Sequence, residues 1–387
     1  MRRLLVIIPD RLSELISKGE ITARYYNPGG LFNEVHILMT NDDLPDKALL
    51  QETVGEAQLY LHNLPSGKDL FLRSLGWRPA LLSRWARRGV TMASQIKPRL
   101  IRCHGNHLNG YLAAEIKKTL GVPYVISIHT NPDENRKYWC FGWREKCFNY
   151  AAKSIETISV KYADIIIPVY KSIRSYLKYL DNKKIEVIYN VANSEFIEKK
   201  CDYSLHSPVK VISVGRLIPG KCPDNIIRSI KDLDVELTIV GDGPLRPYLE
   251  NVARSTETSE RIKFIPSLSN DKICSILRDY DIFAVHSEYH GIPKTLLESS
   301  LTGLPIILNK IDIETVPEFR GNWLMLVDNN VDGYRKALQK LIADHTFRKK
   351  LGRRAFSHSH THWEPKKMEA KYVEVYKRVM REAGVQA

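Results

Sequence analysis

The sequence contains no apolar run approaching the roughly 18 to 20 residues of a bilayer-spanning helix, which excludes a helical integral membrane protein. It has no CxxC pair. Its six cysteines (Cys103, Cys140, Cys147, Cys201, Cys222 and Cys274) are scattered, the usage of reduced thiols in a cytoplasmic chain and not of a disulfide scaffold. Short internal repeats and low-complexity tracts are missing too, which excludes solenoids and collagen. Acid is in short supply: 44 Asp and Glu face 58 Lys and Arg, for a net charge of +14. That surplus points to an anionic partner: nucleic acid, a membrane surface or a phosphate-bearing ligand.

What is present is ordinary globular material, 43% hydrophobic and 26% charged. With 387 residues, the chain is long enough for two domains. Its start, MRRLLVIIPD, has the charge of a signal peptide but neither its length nor its cleavage site, and reads as a first buried strand. Strand-like runs follow at LLVII (4–8), VHILM (35–39), PRLIRCH (98–104), YVISIH (124–129), DIIIPVY (164–170) and KIEVIYN (184–190). The rhythm restarts with VKVISVG (209–215), VELTIVG (235–241), IKFIP (262–266), DIFAVHS (281–287), LPIILN (304–309) and WLMLVD (323–328). Most of these runs are continuously apolar, as parallel strands buried on both faces should be. Helical stretches lie between them, so the chain reads as two α/β sheets in tandem. The polar, turn-rich SEFIEKKCDYSLHSP marks the boundary within 194–208, giving domains of 1–200 and 201–365 with a terminal helix over 366–387.

From Lys68 to Arg102 there are nine basic residues (Lys68, Arg73, Arg78, Arg84, Arg87, Arg88, Lys97, Arg99 and Arg102) against one acid, Asp69. Phe71, Leu72, Leu75, Trp77, Leu81, Leu82 and Trp85 are interleaved with them. A basic amphipathic segment bearing tryptophan suits an anionic membrane surface. The plainer alternative is a core-facing helix with a basic solvent face. Nucleic acid is disfavoured, since no recognised binding motif accompanies the charge.

Three stretches in the second half carry the chemistry. The strand VISVG runs into Gly215-Arg216-Leu217-Ile218-Pro219-Gly220-Lys221, a tight turn that brings two cations to the carboxyl end of a strand. Open α/β sheets bind ligands there, and Arg216 with Lys221 suits phosphate, although a solvated cation pair would look the same. Gly241-Asp242-Gly243-Pro244 reads first as a strand-to-helix turn, with backbone amides free for a ligand as the second reading. In HSEYHGIPKTLLESSLTGLPIIL (286–308) a glycine turn precedes a helix opening at Pro293 and stopping at Gly303. Its first N–H groups, on Lys294, Thr295 and Leu296, make an anion site. Glu298, one turn on, is able to hold a diol such as ribose; the alternative is an exposed Glu298 on a packed helix.

VGRLIPGK, IVGDGPLR and HGIPKTLLESSLTGLPII together resemble the nucleotide-sugar-binding domain of family-4 retaining glycosyltransferases. The resemblance implies the GT-B fold: two Rossmann-like domains facing a cleft, an acceptor-binding one and a donor-binding one, with the terminal helix crossing back to the first. The family's Glu-x7-Glu pair ends here at Glu298, but its first position holds His290, with Glu288 two residues upstream. ISIHTNP carries His129 where the family has a histidine near donor sugar and acceptor. The family's glycine loop after the first strand falls to Gly19 rather than to Gly29-Gly30, and YNVANSEF (189–196) matches its junction.

By this resemblance His129, Arg216, Lys221 and Glu298 are catalytic. Gly19, Gly215, Gly241, Ile265, His290, Gly291, Lys294, Thr295, Leu296 and Glu298 would line the donor. The implied reaction moves a sugar from a nucleotide diphosphate to a glycan or lipid-linked acceptor, with retention, without metal or other cofactor and without nucleic acid. The implied place is the cytoplasm, peripheral on the inner face of the membrane. The alternative is a catalytically silent partner subunit of the same fold, which His290 supports. A phosphorylase-like activity fits less well, since no lysine motif for pyridoxal is present. His358, His360 and His362 alternate in HSHSHTHW, which reads as a polar loop with a remote chance of holding a metal. In CHGNH (103–107) a cysteine and two histidines crowd too closely for a zinc finger.

Overall fold

The computed structural model describes residues 1–66, 70, 79–139, 143–190, 194–311 and 316–384. The chain divides into two compact units, one of residues 1–190 with 366–387 and one of 191–365.

The first unit is built on a parallel sheet. Its strands are β1 (Arg3–Ile8), β2 (Glu34–Met39), β3 (Gln58–Asn63), β4 (Leu100–His104), β5 (Tyr124–Ile128) and β6 (Ile165–Pro168), in the order β3-β2-β1-β4-β5-β6. The strand order reverses between β1 and β4, so the ligand crevice of a doubly wound sheet lies at their carboxyl ends. Leu4 to Ile8 are fully buried because helices cover both faces, which is why the run is continuously apolar. β3 is missed by the sequence reading. It is an edge strand whose Gln58, Tyr60 and His62 alternate with Leu59 and Leu61, leaving no apolar run to detect.

KIEVIYN, expected as a strand, is extended but barely paired. Glu186 N donates to Ile166 O (2.9 Å) and Ile188 N to Pro168 O (3.2 Å). Pro168 has no N–H to return the bond to Glu186, so the ladder stops there. The helix Pro365–Glu382 packs into this unit through Met368, Tyr372, Val375, Tyr376, Val379 and Met380. Glu369 holds it in register, accepting from Gly29 N (2.9 Å) and pairing with Arg24 (3.3 Å). Gly29 sits at φ +63°, and a Cβ there would stand 2.6 Å from Val373 Cγ2.

The second unit repeats the plan with β7 (Val209–Val214), β8 (Val235–Val240), β9 (Ile262–Ile265), β10 (Ile282–Val285), β11 (Ile306–Asn309) and β12 (Met325–Val327). The order is β12-β11-β10-β7-β8-β9, all parallel, with the reversal between β7 and β10. Residues 191–200 belong here, ten earlier than the expected boundary. Lys200 ties them down, its N–H donating to Thr302 O (2.7 Å) and its Nζ to Arg278 O (3.1 Å).

Candidate active site

At the reversal point of the second sheet, the loop after β7 is braced by the loop after β8. Leu217 N donates to Asp242 O (2.9 Å), and Leu245 N to Leu217 O (3.1 Å). The two loops approach so closely that only glycine fits. A Cβ at Gly241 (φ +149°) would lie 1.9 Å from Gly215 O, and one at Gly243 (φ +153°) 2.3 Å from Leu217 O. The Gly241 amide is spent on Ile265 O (3.0 Å) and that of Gly243 on the Asp242 carboxylate (2.8 Å). The amides of Gly241 and Gly243 are thus committed, in line with the first reading of this stretch as a strand-to-helix turn, and the turn braces the Arg216 loop.

From the other side the loop is tied to the end of β10. Buried His286 accepts from Cys222 N at Nδ1 (3.0 Å), and its Nε2 lies 3.1 Å from Asn329 Nδ2 and 3.6 Å from Glu288. Burial holds the His286 pKa below the usual imidazole value, keeping it the neutral acceptor this bond requires. Glu288 N donates to Gly220 O (2.8 Å), and the Tyr289 hydroxyl to Pro219 O (3.2 Å). Glu288, two residues from the family's first glutamate position, thus serves the loop by its backbone.

So fixed, the loop presents Arg216 exposed and Lys221 half-buried, with Lys221 Nζ over the Tyr289 ring at 5.3 Å. Burial first, and then the Arg216 charge, hold the lysine pKa below its ordinary value. Neither cation has a carboxylate partner among the described residues. Two neighbouring cations without a counterion favour a bound anion.

The helix Lys294–Thr302 begins beside them, anchored by Thr295 Oγ1 donating to Val214 O at the end of β7 (3.3 Å). Thr295 lies in the first turn and has no intrahelical carbonyl for its N–H group. Leu296, expected to offer a third, does not: its N–H is turned to Pro293 O (3.0 Å) by a tight first turn. The Gly291 amide is likewise committed, to Tyr289 O (2.8 Å), with His290 half-buried between them. Glu298 is wholly buried, against the alternative of an exposed position, and its Oε1 accepts from Asn270 Nδ2 (2.7 Å). Asn270, at the start of the helix Asn270–Ile276, is a contributor the sequence reading missed; nothing in its local pattern distinguishes it.

In the first unit, His129 closes β5 and stacks on His104 of β4, centroids 5.7 Å apart and planes 16° apart. Burial, and secondarily the charge of Arg102, push the His129 pKa down to about 4 and that of His104 well below its usual value. Burial thus disfavours the charged form of His129 at physiological pH. Arg102 is buried under the rings of Tyr25 (4.5 Å) and Tyr372 (4.8 Å) and donates to Tyr25 O.

Two sequence models match in succession. That of the glycosyltransferase family 4 covers residues 31–196, and that of the glycosyl transferases group 1 covers 198–358. The chain belongs to the group 1 glycosyltransferases.

A relative in Methanocaldococcus jannaschii, an uncharacterized glycosyltransferase, is 28% identical over 65% of this chain and 68% of its own length. A lipopolysaccharide core biosynthesis glycosyltransferase of Rhizobium meliloti is 27% identical, over 40% of this chain and 45% of its own. Among solved structures, the sucrose-phosphate synthase of Thermosynechococcus elongatus superposes with a TM-score of 0.74 at 13% identity, covering 99% of this chain and all of that one. A protein of Anabaena in complex with UDP and glucose gives 0.69 at 13% identity, covering 97% of this chain and all of that one. The glycosyltransferase has the GT-B fold, and no helix among its described residues is long and apolar enough to cross a membrane.

Other expectations for the glycosyltransferase meet the structure as follows. Gly19 (φ +62°) closes the helix Leu12–Ser17, donating to Ile16 O (2.9 Å), while Gly29 is committed to the terminal helix. Gly215 donates to Val240 O (3.0 Å) and leaves open space where a side chain would stand. HSHSHTH is the end of a helix, His345–His362, not a loop. Alternate residues diverge on a helix, so His358 stacks on Trp323 (4.7 Å) while His360 stacks on Phe356 (5.6 Å). Of the 68–102 stretch, Lys68, Asp69, Phe71, Leu72, Arg73, Leu75, Trp77 and Arg78 lie outside the described residues. In the helix Pro79–Ile96 that follows, Leu82 and Trp85 face the core and Arg84, Arg87 and Arg88 face solvent. Trp85 and Arg102 are thus withdrawn from any surface role.

Proposed function

We propose that this glycosyltransferase moves a hexosyl or N-acetylhexosaminyl group from a UDP- or GDP-linked donor to a glycan or lipid-linked glycan, in cell-surface polysaccharide or lipopolysaccharide biosynthesis. The observation that carries the donor class is the pair Arg216 and Lys221, held without a counterion on a doubly braced loop beside a helix N-terminus. A nucleoside diphosphate gains negative charge as the glycosidic bond breaks, and fixed cations and N–H dipoles stabilise that charge without reorganising. They supply what a divalent ion supplies elsewhere, so we propose a metal-independent reaction. The Anabaena structure with UDP and glucose supports a uridine donor. The lipopolysaccharide relative in Rhizobium meliloti supports a cell-surface acceptor.

Retention fits a front-face route, in which the departing phosphate oxygen takes the acceptor hydroxyl's proton as the new bond forms on the same side. That route needs no enzyme nucleophile, so His290 in place of glutamate is compatible with turnover. The exposed Arg84, Arg87 and Arg88 would hold the enzyme to an anionic membrane that presents the acceptor.

The test is a thermal-shift panel of UDP, GDP, ADP and dTDP, each with and without magnesium, on the native protein and on Arg216→Ala. At a hundredfold excess over its dissociation constant, the true nucleotide stabilises by about 2.7 kcal/mol. One nucleotide should shift the native protein, magnesium or not, and leave Arg216→Ala unmoved. No shift with any of the four would overturn the donor reading in favour of a silent partner subunit.

A further inference from the structure

The helix His345–His362 holds the most one-sided charge among the described elements. Its eighteen residues, HTFRKKLGRRAFSHSHTH, contain no Asp or Glu. The buried side is set by Arg348, Leu351, Gly352, Ala355 and Ser359. Gly352 fixes it closely: a Cβ there would lie 2.5 Å from Gly303 O and 2.3 Å from the Tyr203 ring. With that face packed, Lys349, Lys350, Arg353 and Arg354 fall on the opposite side, along an open groove of about 470 Å³ that runs from His345 to Ser357. None of the four is ion-paired among the described residues. Like charges four apart on a helix repel one another. Lys349 with Arg353 and Lys350 with Arg354 are two such pairs, a small standing cost that packing of the other face does not require.

The shape of the array decides its partner. Every lining residue comes from this one helix, so no second wall exists to enclose a small ligand, which needs groups converging from several sides. The stripe is straight and about 18 Å long at 1.5 Å per residue. Apart from His345 at one end, its lining residues present no ring on which bases could stack. A flat field of laterally mobile negative charge meets these conditions. We infer that the outer face of this helix, through Lys349, Lys350, Arg353 and Arg354, is a docking surface for an anionic lipid bilayer. It is separate from the residues of the donor site and from the Arg84–Arg88 face of the first unit, and it holds whether or not the donor reading does.

The experiment is sedimentation of the full chain with phosphatidylcholine vesicles, with and without phosphatidylglycerol, at low and high salt. The variant carries Lys349→Gln, Lys350→Gln, Arg353→Gln and Arg354→Gln. A second variant keeps the charge, with Lys349→Arg, Lys350→Arg, Arg353→Lys and Arg354→Lys. Each Lys or Arg near an anionic surface strengthens binding severalfold, so the neutral variant should lose at least about tenfold in partitioning to phosphatidylglycerol vesicles. The charge-keeping variant should partition as the native chain does, and high salt should erase the difference between native and neutral chains. Circular dichroism of both variants checks the fold, and an unchanged nucleotide shift shows the donor loop intact. Equal partitioning of the native and neutral chains would overturn the inference. So would tighter binding of single-stranded RNA than of vesicles, lost in the same neutral variant.

Discussion

His290 stands where the family has the first glutamate of its pair, half-buried and flanked by the Gly291 amide turned back to Tyr289. A glutamate accepts hydrogen bonds from sugar hydroxyls through two oxygens, whereas an imidazole offers one donor and one acceptor. The exchange should therefore alter which donor sugar is preferred rather than abolish transfer. His290→Glu is expected to remain active and to change the ratio of kcat/KM between donors sharing one base by about tenfold, the worth of one good hydrogen bond. An active variant with unchanged donor preference would refute this role. The residue scale is also where reading by position was weakest. Glu298, Arg216 and Lys221 were singled out by motif and spacing, whereas the positions of Leu296, Asn270 and the buried Arg102 depend on which way one side chain or one amide turns.

At the scale of elements, the two loops after β7 and β8 act as one part. Gly241 contributes no ligand contact through its amide; it contributes the absence of a side chain, 1.9 Å from where Gly215 O would strike it. Gly241→Ala must push the Arg216 loop off its support, in a conformation that side chains rarely adopt. The variant should lose about 2–4 kcal/mol of stability. Its nucleotide-induced thermal shift should fall as well, although Gly241 touches no phosphate. Retention of both would mean that the loops do not depend on each other. Ten of the twelve observed strands were legible as mainly apolar strand-like runs in their full or nearly full extent, and β12 as a run with a short paired centre. β3 was hidden by edge-strand alternation, and 184–190 was over-read because the missing N–H of Pro168 acts on its neighbour, not on itself.

For the whole molecule, the histidines of the first unit govern behaviour in acid. Burial pushes His129 and His107 down to about 4, with His104 held low as well. Above about pH 6.5 these groups are neutral in folded and unfolded chain alike and contribute nothing. Between about pH 6.5 and 4 the unfolded chain takes up protons that the folded one refuses, so stability falls as the pH drops, and the penalty saturates below. For His129 a shift of this size corresponds to about 3 kcal/mol. Denaturant unfolding at pH 7 and at pH 4.5 should show that loss reduced in His129→Asn. An equal loss in native chain and variant would mean that His129 is protonated in the folded state.

The order of apolar runs and turns was enough to indicate two α/β sheets in tandem with a boundary expected within 194–208, and it singled out the ends of β7 and β10 as the place to look for chemistry. These are properties of local periodicity, and local periodicity is written in adjacent residues. Which groups remain available there was decided only by tertiary contact. Ile265 takes the amide of Gly241, Val373 takes the room beside Gly29, and Asn270 takes one oxygen of Glu298. Each of these partners lies more than twenty residues away. A hydrogen bond or a steric limit depends on distance in space, and no spacing along the chain encodes it.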